Sequence, residues 1–210
     1  MRLRPFLLAA FVLALALPAP AAEWIEYVSR VDFFSVNFPA QPDVRDIQYE
    51  TEYGLMLPAR VYSAADGPNR YSVTAVDFST AEALHTARSK ACTGYPDVCG
   101  NRTRADLRGA MDNAAGRLLT RAARVTDYGY YNADLVEGRR LQLVNADGTQ
   151  TFAAINMHAN RLFIFEGTVA PGSPPPSLFQ QSVGFVDTDG NRIRYAEIYS
   201  NAYPAPPRTR

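Results

Sequence analysis

Few residues of this chain can carry catalytic or metal chemistry. Its 210 residues include two cysteines, two histidines, one tryptophan and a single lysine. A tetrahedral metal site lacks donors, because Cys92 and Cys99 have only His85 near them. The chain also has no G-x-S-x-G segment and no G-x-x-x-x-G-K segment, which excludes a hydrolase nucleophile elbow and a phosphate loop. The sequence therefore predicts no catalytic residue, no cofactor and no metal.

The chain also lacks an excess of charge of either sign. Its 21 basic residues equal its 21 acidic ones, and removal of residues 1–22 takes away two arginines, which leaves a formal charge of −2. The arginines are scattered along the chain, which indicates a GC-rich genome rather than phosphate recognition. A balance this close to neutral gives no electrostatic reason to expect nucleic acid or an anionic membrane as a partner.

One long apolar run is present, and it lies at the N-terminus. Arg2 and Arg4 precede the apolar residues 6–17, and the small residues 18–22 follow, the pattern of a secretory signal peptide. The run is too short to span a bilayer comfortably, although an uncleaved anchor remains the alternative. We therefore predict a signal peptide over residues 1–22 and a periplasmic or secreted chain of about 188 residues with no stable membrane insertion.

The two cysteines lie close together in the segment ACTGYPDVCG. A close pair in an exported protein favours a disulfide between Cys92 and Cys99. Closing this eight-residue loop is expected to stabilise the fold by roughly 2.5 kcal/mol. Redox-active pairs usually have the C-x-x-C spacing, which this pair does not have.

The hydrophobic periodicity changes twice along the chain. Period-two alternation predicts strands before residue 79 and again after residue 124, and the i, i+3, i+4 pattern predicts helices between them. The first helix, from Ala81 to Ala91, places Ala83, Leu84, Ala87 and Ala91 on one side. The second has an apolar stripe suited to lying against a sheet, formed by Leu107, Ala110, Met111, Ala114, Ala115, Leu118, Leu119 and Ala122.

Residues 134–170 are predicted to form three adjacent antiparallel strands. Turns at 145–148 and 158–161 separate them, because Asn, Asp and Gly tolerate the positive φ of tight hairpins. A short helix at 177–185, an edge strand at 192–199 and a disordered Pro/Arg tail at 201–210 are expected to follow. This order predicts one α+β domain, residues 23–200, with an antiparallel β-sheet and helices packed on it.

The landmarks resemble those of a known superfamily. The phrase FFSVNFPAQP at 33–42, the strand YSVTAVDF at 71–78, the run ANRLFIFEGTV at 159–169 and the closing SLFQQSVGF are similar to small exported bacterial proteins of the PsbP-like superfamily. The resemblance spans about residues 24–186. It implies an α/β/α sandwich and docking onto a larger assembly, and it supplies no binding residue, since the matched positions are core and turn residues.

A run of tyrosines is the best candidate for an interaction surface. Tyr128, Tyr130 and Tyr131 lie close together, and tyrosine is favoured at interfaces because it combines a large contact area with a polar tip. The alternative is that they are half-buried strand residues. We therefore expect a non-enzymatic binding or accessory module that docks onto an envelope protein; a structural component of the envelope with no specific ligand is a third hypothesis.

The competing hypothesis is an enzyme whose site is assembled from dispersed residues. Glu137 and Glu166 are candidates for a carboxylate pair, with His158 as a base. His158 at a hairpin tip and His85 on a surface helix are both expected to be solvated rather than catalytic. The segment 187–191 resembles a calcium loop only faintly, because its glycine and its twelfth position do not fit, and we expect an ordinary turn there.

Overall fold

The described residues, 23–201 and 203–209, form ten strands and three helices in a computed structural model. The predicted signal peptide, residues 1–22, lies outside them. The strands are β1 Ile25–Ser29, β2 Phe34–Phe38, β3 Asp43–Glu50, β4 Met56–Asp66, β5 Asn69–Asp77, β6 Arg124–Ala133, β7 Val136–Val144, β8 Gln150–His158, β9 Arg161–Val169 and β10 Gly184–Phe185. The helices are α1 Ala81–Ala91, α2 Thr103–Arg121 and α3 Ser177–Gln181.

Seven strands from both halves of the chain form one antiparallel sheet. Their order is β3-β4-β5-β9-β8-β7-β6, so β5 and β9 join the strands that precede the helices to those that follow. The predicted meander is present as β7, β8 and β9, and its second turn contains Ala159 at φ 47° and Asn160 at φ 56°. The α+β class and the antiparallel sheet predicted from the sequence are confirmed.

Helix α2 lies on one face of this sheet, and α1 lies beside α2. The small side chains of the predicted stripe let the helix approach β7, β8 and β9 closely. We call the core between them the first core; it buries Ala110, Met111, Ala114, Ala115 and Leu118 against Leu141, Leu143, Ile155 and Leu162. None of the described helices is long and apolar enough to cross a membrane.

The opposite face of the large sheet carries a third layer. This layer joins α3 to a small sheet of order β1-β2-β10, so it contains strands as well as the helix expected of an α/β/α sandwich. Between this layer and the large sheet lies the second core, whose fully buried aromatic residues are Phe34, Phe38, Phe163, Phe165, Phe179 and Phe185. Many of these rings meet edge to face, as Phe34 and Phe163 do at 6.0 Å between centroids.

The C-terminal part of the chain differs from the sequence-based expectation. Only Ser177–Gln181 of the predicted helix is helical, because Gly184 and Phe185 pair with β2 instead. The predicted edge strand at 192–199 contributes only isolated bridges, which join Arg192 to Val186, Tyr195 to Arg208 and Tyr199 to Val136.

The tail predicted to be disordered folds back on the chain. Ala196 N–H donates to the Pro207 carbonyl at 2.9 Å, and Thr209 N–H donates to the Arg194 carbonyl at 2.9 Å. Proline has no N–H group, but its carbonyl still accepts hydrogen bonds, so a Pro-rich segment can pair with the rest of the chain. Low hydrophobicity alone therefore did not predict the conformation of the tail.

Candidate functional site

Strand β6 forms one end of the large sheet. It pairs with β7 along one side, and no described strand pairs with its other side. A sheet edge of this kind presents backbone N–H and C=O groups to any chain that can approach in an extended conformation. The edge is long, because β6 has ten residues.

Tyr128 and Tyr130 lie on the helix-bearing face of this edge strand. Tyr128 pairs with Leu141 and Tyr130 pairs with Arg139, and directly paired residues share a face. Arg139 donates from Nε to Asp112 of α2 at 2.9 Å, which fixes the face as the one that α2 covers. The helix packs on β7, β8 and β9, so the two tyrosines remain open, Tyr128 with 47% and Tyr130 with 84% of their surface exposed.

A β-bulge adds a third apolar residue to the same face. The pairing of β6 with β7 shifts between Val125 and Asp127, which leaves Thr126 as the extra residue. In a regular strand, Val125 and Tyr128 would face opposite sides of the sheet, because side chains alternate along a strand and the two residues are three positions apart. The extra residue of the bulge brings them to the same side. Val125 instead pairs with Leu143 on the helix side and is 44% exposed. We call Val125, Tyr128 and Tyr130 together the β6 strip.

The three tyrosines of the predicted surface do not lie on one face of the sheet. Tyr131 pairs with Gly138 and packs against the second core, on the face opposite Tyr128 and Tyr130. Burial raises the pKa of the Tyr131 phenol, and the nearby carboxylate of Asp134 raises it further. Tyr131 is therefore the half-buried strand tyrosine that the alternative hypothesis described, and the other two are surface residues.

An arginine lies under the exposed end of the β6 strip. The guanidinium carbon of Arg139 lies 4.5 Å from the centroid of the Tyr130 ring, within the range of a cation–π contact. Because Asp112 also holds this guanidinium, the ring of Tyr130 has a fixed support on one face. Its other face is free to contact a partner.

The residues of the enzyme hypothesis are not brought together. Glu137 and Glu166 lie on the helix face, whereas His158 lies on the opposite face with the second core. Ala153 of β8 pairs with Leu141 of β7 on one side and with Glu166 of β9 on the other. Glu166 is therefore two strands away from Glu137 and is displaced from it by four residues along the strand direction. The offset is about 13 Å along the strand and about 10 Å across it, more than the roughly 5–9.5 Å between glycosidase carboxylates. Glu166 is instead paired with Arg121.

Both histidines were predicted to be solvated, and both predictions are wrong. His158 is 3% exposed, and its Nε2 lies 2.8 Å from the Tyr195 hydroxyl. Burial, together with the nearby positive charges of Arg208 and Arg161, lowers the pKa of His158 to about 4. The hairpin tip is covered by Tyr195 and Tyr199 from the C-terminal region. The local sequence around His158 gives no sign of this long-range contact.

His85 of α1 is buried on the side of its helix that contacts Asp106 of α2. It is 3% exposed, and its Nε2 lies 2.9 Å from Oδ2 of Asp106, whose side chain is fully buried. The predicted apolar side of α1 faces solvent, since Ala83, Leu84, Ala87 and Ala91 are exposed and α1 buries Ala81 and His85 instead. His85 and Asp106 are 21 residues apart on two different helices, and no local pattern indicates that they pair, so the sequence did not reveal this contact.

A third polar cluster fastens the β1–β2 turn to the large sheet. Asp32 is 6% exposed, and its carboxylate accepts from Nη1 of Arg60 at 2.8 and 2.9 Å and from the hydroxyl of Tyr62 at 2.5 Å. Ser29 lies 3.0 Å from the same hydroxyl. The crevice beside this cluster, about 270 Å³, is lined by Asp46, Asp77 and Arg161 as well, and each of its charged side chains that carries a carboxylate is paired with Arg60 or Arg161.

Two smaller predictions concern loops. The Cys92–Cys99 disulfide is present and links the end of α1 to the segment before α2. Segment 187–191 is an ordinary turn, in which Oδ1 of Asp187 accepts from the backbone N–H of Asp189 at 3.0 Å and of Asn191 at 2.8 Å. Within residues 23–201 and 203–209, no three His, Cys, Asp or Glu side chains group closely enough to hold a metal ion.

Comparison with known proteins gave likenesses to solved structures only. No protein-family model matches the sequence, and no curated protein matches it. The structure is similar to the solution structure of cyanobacterial PsbP (CyanoP) from Synechocystis, with 14% sequence identity over 75% of this chain and 86% of that chain and a TM-score of 0.39. At this level of likeness, no residue role and no partner is transferred to the chain.

Proposed function

We propose that this chain is an exported, non-enzymatic accessory module that docks onto an envelope protein through the β6 strip. The observation that carries the proposal is the strip itself, Val125, Tyr128 and Tyr130, which is left open beside α2 on an unpaired sheet edge. The predicted signal peptide and the Cys92–Cys99 disulfide support export, because disulfides persist in oxidising compartments.

The two edges of the large sheet differ in a way that favours β6 as the docking edge. The β3 edge carries exposed charges along its length, at Asp43, Arg45, Asp46 and Glu50. Charged side chains of this kind discourage pairing with another strand. Along β6 the charged residues are Arg124 and Asp127, and Asp127 is paired with Arg140 at 2.8 Å. The β6 edge therefore lacks the protection that the β3 edge has.

The geometry of the strip defines the chemistry of the partner. An extended segment that pairs with β6 obtains backbone hydrogen bonds from the edge, and its alternate side chains meet the strip. The strip offers two aromatic rings and one aliphatic side chain, with no exposed charge among them. We therefore expect the partner to present an extended segment with apolar or aromatic residues at every second position.

Site-specific photo-crosslinking in native envelope fractions tests this proposal. A crosslinker at Thr126, on the β6 edge, is expected to capture a defined partner, and the double substitution Tyr128→Ser with Tyr130→Ser is expected to abolish that capture. A crosslinker at Val44 on the β3 edge is the matched control, since Val44 is 50% exposed.

Two results would contradict the proposal. Equal capture from β6 and from β3 would show that the strip has no special role. Strip-dependent crosslinking of the chain to itself, together with a concentration-dependent dimer of the pure protein, would show that the occupant of this edge is a second copy.

A further inference from the structure

A cavity lies between the C-terminal end of α1, the disulfide loop and the start of α2. Its volume is about 290 Å³. Its wall includes His85, Arg88, Arg102 and the disulfide-bonded residues Cys92 and Cys99. It lies on the helix side of the molecule and is separate from the β6 strip. None of the described residues that line it carries a carboxylate.

The two arginines of the wall keep their charge available. Arg88 donates from Nη1 to the Tyr53 carbonyl at 2.7 Å, and Arg102 donates from Nη2 to the Asp97 carbonyl at 2.8 Å. These bonds are to backbone carbonyls, so they hold the side chains in place without neutralising them. Each guanidinium has further N–H donors, and a planar fork of donors suits a carboxylate. Among the described ion pairs, neither arginine has an acidic partner.

A buried histidine forms the inner wall of the same cavity. The carboxylate of Asp106 accepts from the Thr51 hydroxyl at 2.7 Å and lies 2.9 Å from Nε2 of His85, which fixes the ring. The contact with Asp106 holds the His85 ring at one position in the wall. Oδ1 of Asp106 is also buried and has no described hydrogen-bond partner.

The rest of the wall is apolar enough to hold an organic group. Val98, the disulfide and Tyr53 line it, and the ring of Tyr53 meets the His85 ring at 6.5 Å between centroids. The volume exceeds that of an inorganic anion, since a water molecule in the liquid occupies about 30 Å³. An acidic head group would contact the two guanidinium groups, and a small apolar body would fill the remaining space.

We propose that this cavity binds a small organic carboxylate, with Arg88 and Arg102 holding the acid group and the ring of His85, fixed by Asp106, packing against the apolar body of the ligand. This proposal is independent of the β6 strip. The disulfide loop supplies part of the wall, so the closed loop is expected to be needed for binding.

Titration of the exported protein with sodium butyrate and sodium benzoate, followed through the His85 ring resonances by NMR, tests the site. A saturable shift is expected with both acids, and none is expected with butyramide, which has a similar shape and no charge. Arg88→Gln and Arg102→Gln are each expected to weaken binding about ten-fold, the effect of losing one charge-assisted hydrogen bond. Arg45→Gln, an exposed arginine on β3, is the matched control and is expected to change nothing.

Three outcomes would overturn the proposal. The first is no saturable shift with either acid. The second is a shift with inorganic phosphate that equals or exceeds the shift with the organic acids. The third is binding that Arg45→Gln weakens as much as Arg88→Gln does, because such binding would reflect net charge alone. Far-UV circular dichroism of each variant confirms that the exposed substitutions leave the fold intact.

Discussion

Nε2 of His85 and Oδ2 of Asp106 lie 2.9 Å apart inside the protein, and the same oxygen accepts the hydroxyl of Thr51. Replacing Asp106 by Ala leaves both partners buried without their acceptor. We expect Asp106→Ala to lower the free energy of unfolding by about 3 kcal/mol. Asp112→Ala on the same helix is the control; Asp112 is mostly exposed, so it is expected to cost about 1 kcal/mol or less. Equal losses in urea unfolding would contradict the buried pair.

The Asp32 cluster gives a test with two tyrosines. Tyr62→Phe removes the hydroxyl that donates to Asp32, and we expect it to lower the free energy of unfolding by about 1–2 kcal/mol. The burial of the ring and the bond to Asp32 also raise the pKa of Tyr62. Tyr49 is similarly buried, but its hydroxyl has no described partner, so Tyr49→Phe is expected to be neutral or stabilising. The same loss in both variants would show that the hydroxyl of Tyr62 is not stabilising.

The buried His158 makes stability depend on pH. Its pKa is lowered from 6.5 to about 4 in the folded protein, so the unfolded chain binds the proton more readily between these values. The free energy of unfolding is therefore expected to fall as the pH is lowered from about 6.5 to about 4, by up to roughly 3 kcal/mol. Below pH 4 this group contributes no further change.

Chemical denaturation of His158→Gln across the same pH range isolates this contribution. The variant has no titrating group at this position, so its stability is expected to vary less than that of the parent between about pH 4 and 6.5. Parallel pH profiles for the two proteins would show that His158 is not buried as a neutral side chain.

The bulge in β6 predicts an asymmetric response to deletions. Deleting Thr126 removes the extra residue and leaves Val125 opposite Leu143, so the fold and the β6 strip are expected to survive. Deleting Gly129 shifts one part of the strand by one residue and moves its side chains to the other face. With the crosslinker moved to the exposed Arg124 in both variants, partner capture is expected to persist in the first and to be lost in the second. Loss in both, with the fold retained, would contradict the assigned register.

The Cys92–Cys99 disulfide closes a loop with a sequence separation of seven residues. Replacing both cysteines by serine is expected to lower the free energy of unfolding by about 2.5 kcal/mol, since the unfolded chain regains the freedom of the loop. A reductant is expected to destabilise the parent protein by a similar amount and to leave the double variant unchanged. A double variant as stable as the parent would contradict this role for the bond.

The elements that the sequence predicted best are those whose signal is local. The apolar stripe of α2 buries its residues in the first core as the spacing indicated, because a helix with one apolar face has one way to bury it. The hairpins of β7, β8 and β9 are likewise present, since turn residues at 145–148 and 158–161 fix where the chain reverses.

The side of each β6 tyrosine could not be predicted from the sequence. Alternation alone places Tyr128 and Tyr130 together, but which face they share depends on the position of α2. The bulge at Thr126 has no pattern of its own in the sequence, and it decides the side of Val125. The run of tyrosines therefore predicted a tyrosine-bearing surface, and the pairing of β6 with β7 decided that Tyr128 and Tyr130 lie on it and Tyr131 does not.

The sequence by itself determined the α+β class, the antiparallel meander, the buried face of α2 and the disulfide, because each follows from periodicity, turn residues or the spacing of two cysteines. Only the tertiary structure decided that His85 and His158 are buried, that Glu137, Glu166 and His158 lie apart, and that two arginines share a cavity with His85. The reason is physical: Asp106 and Tyr195, which contact the two histidines, are 21 and 37 residues away from them, and no local pattern encodes such contacts.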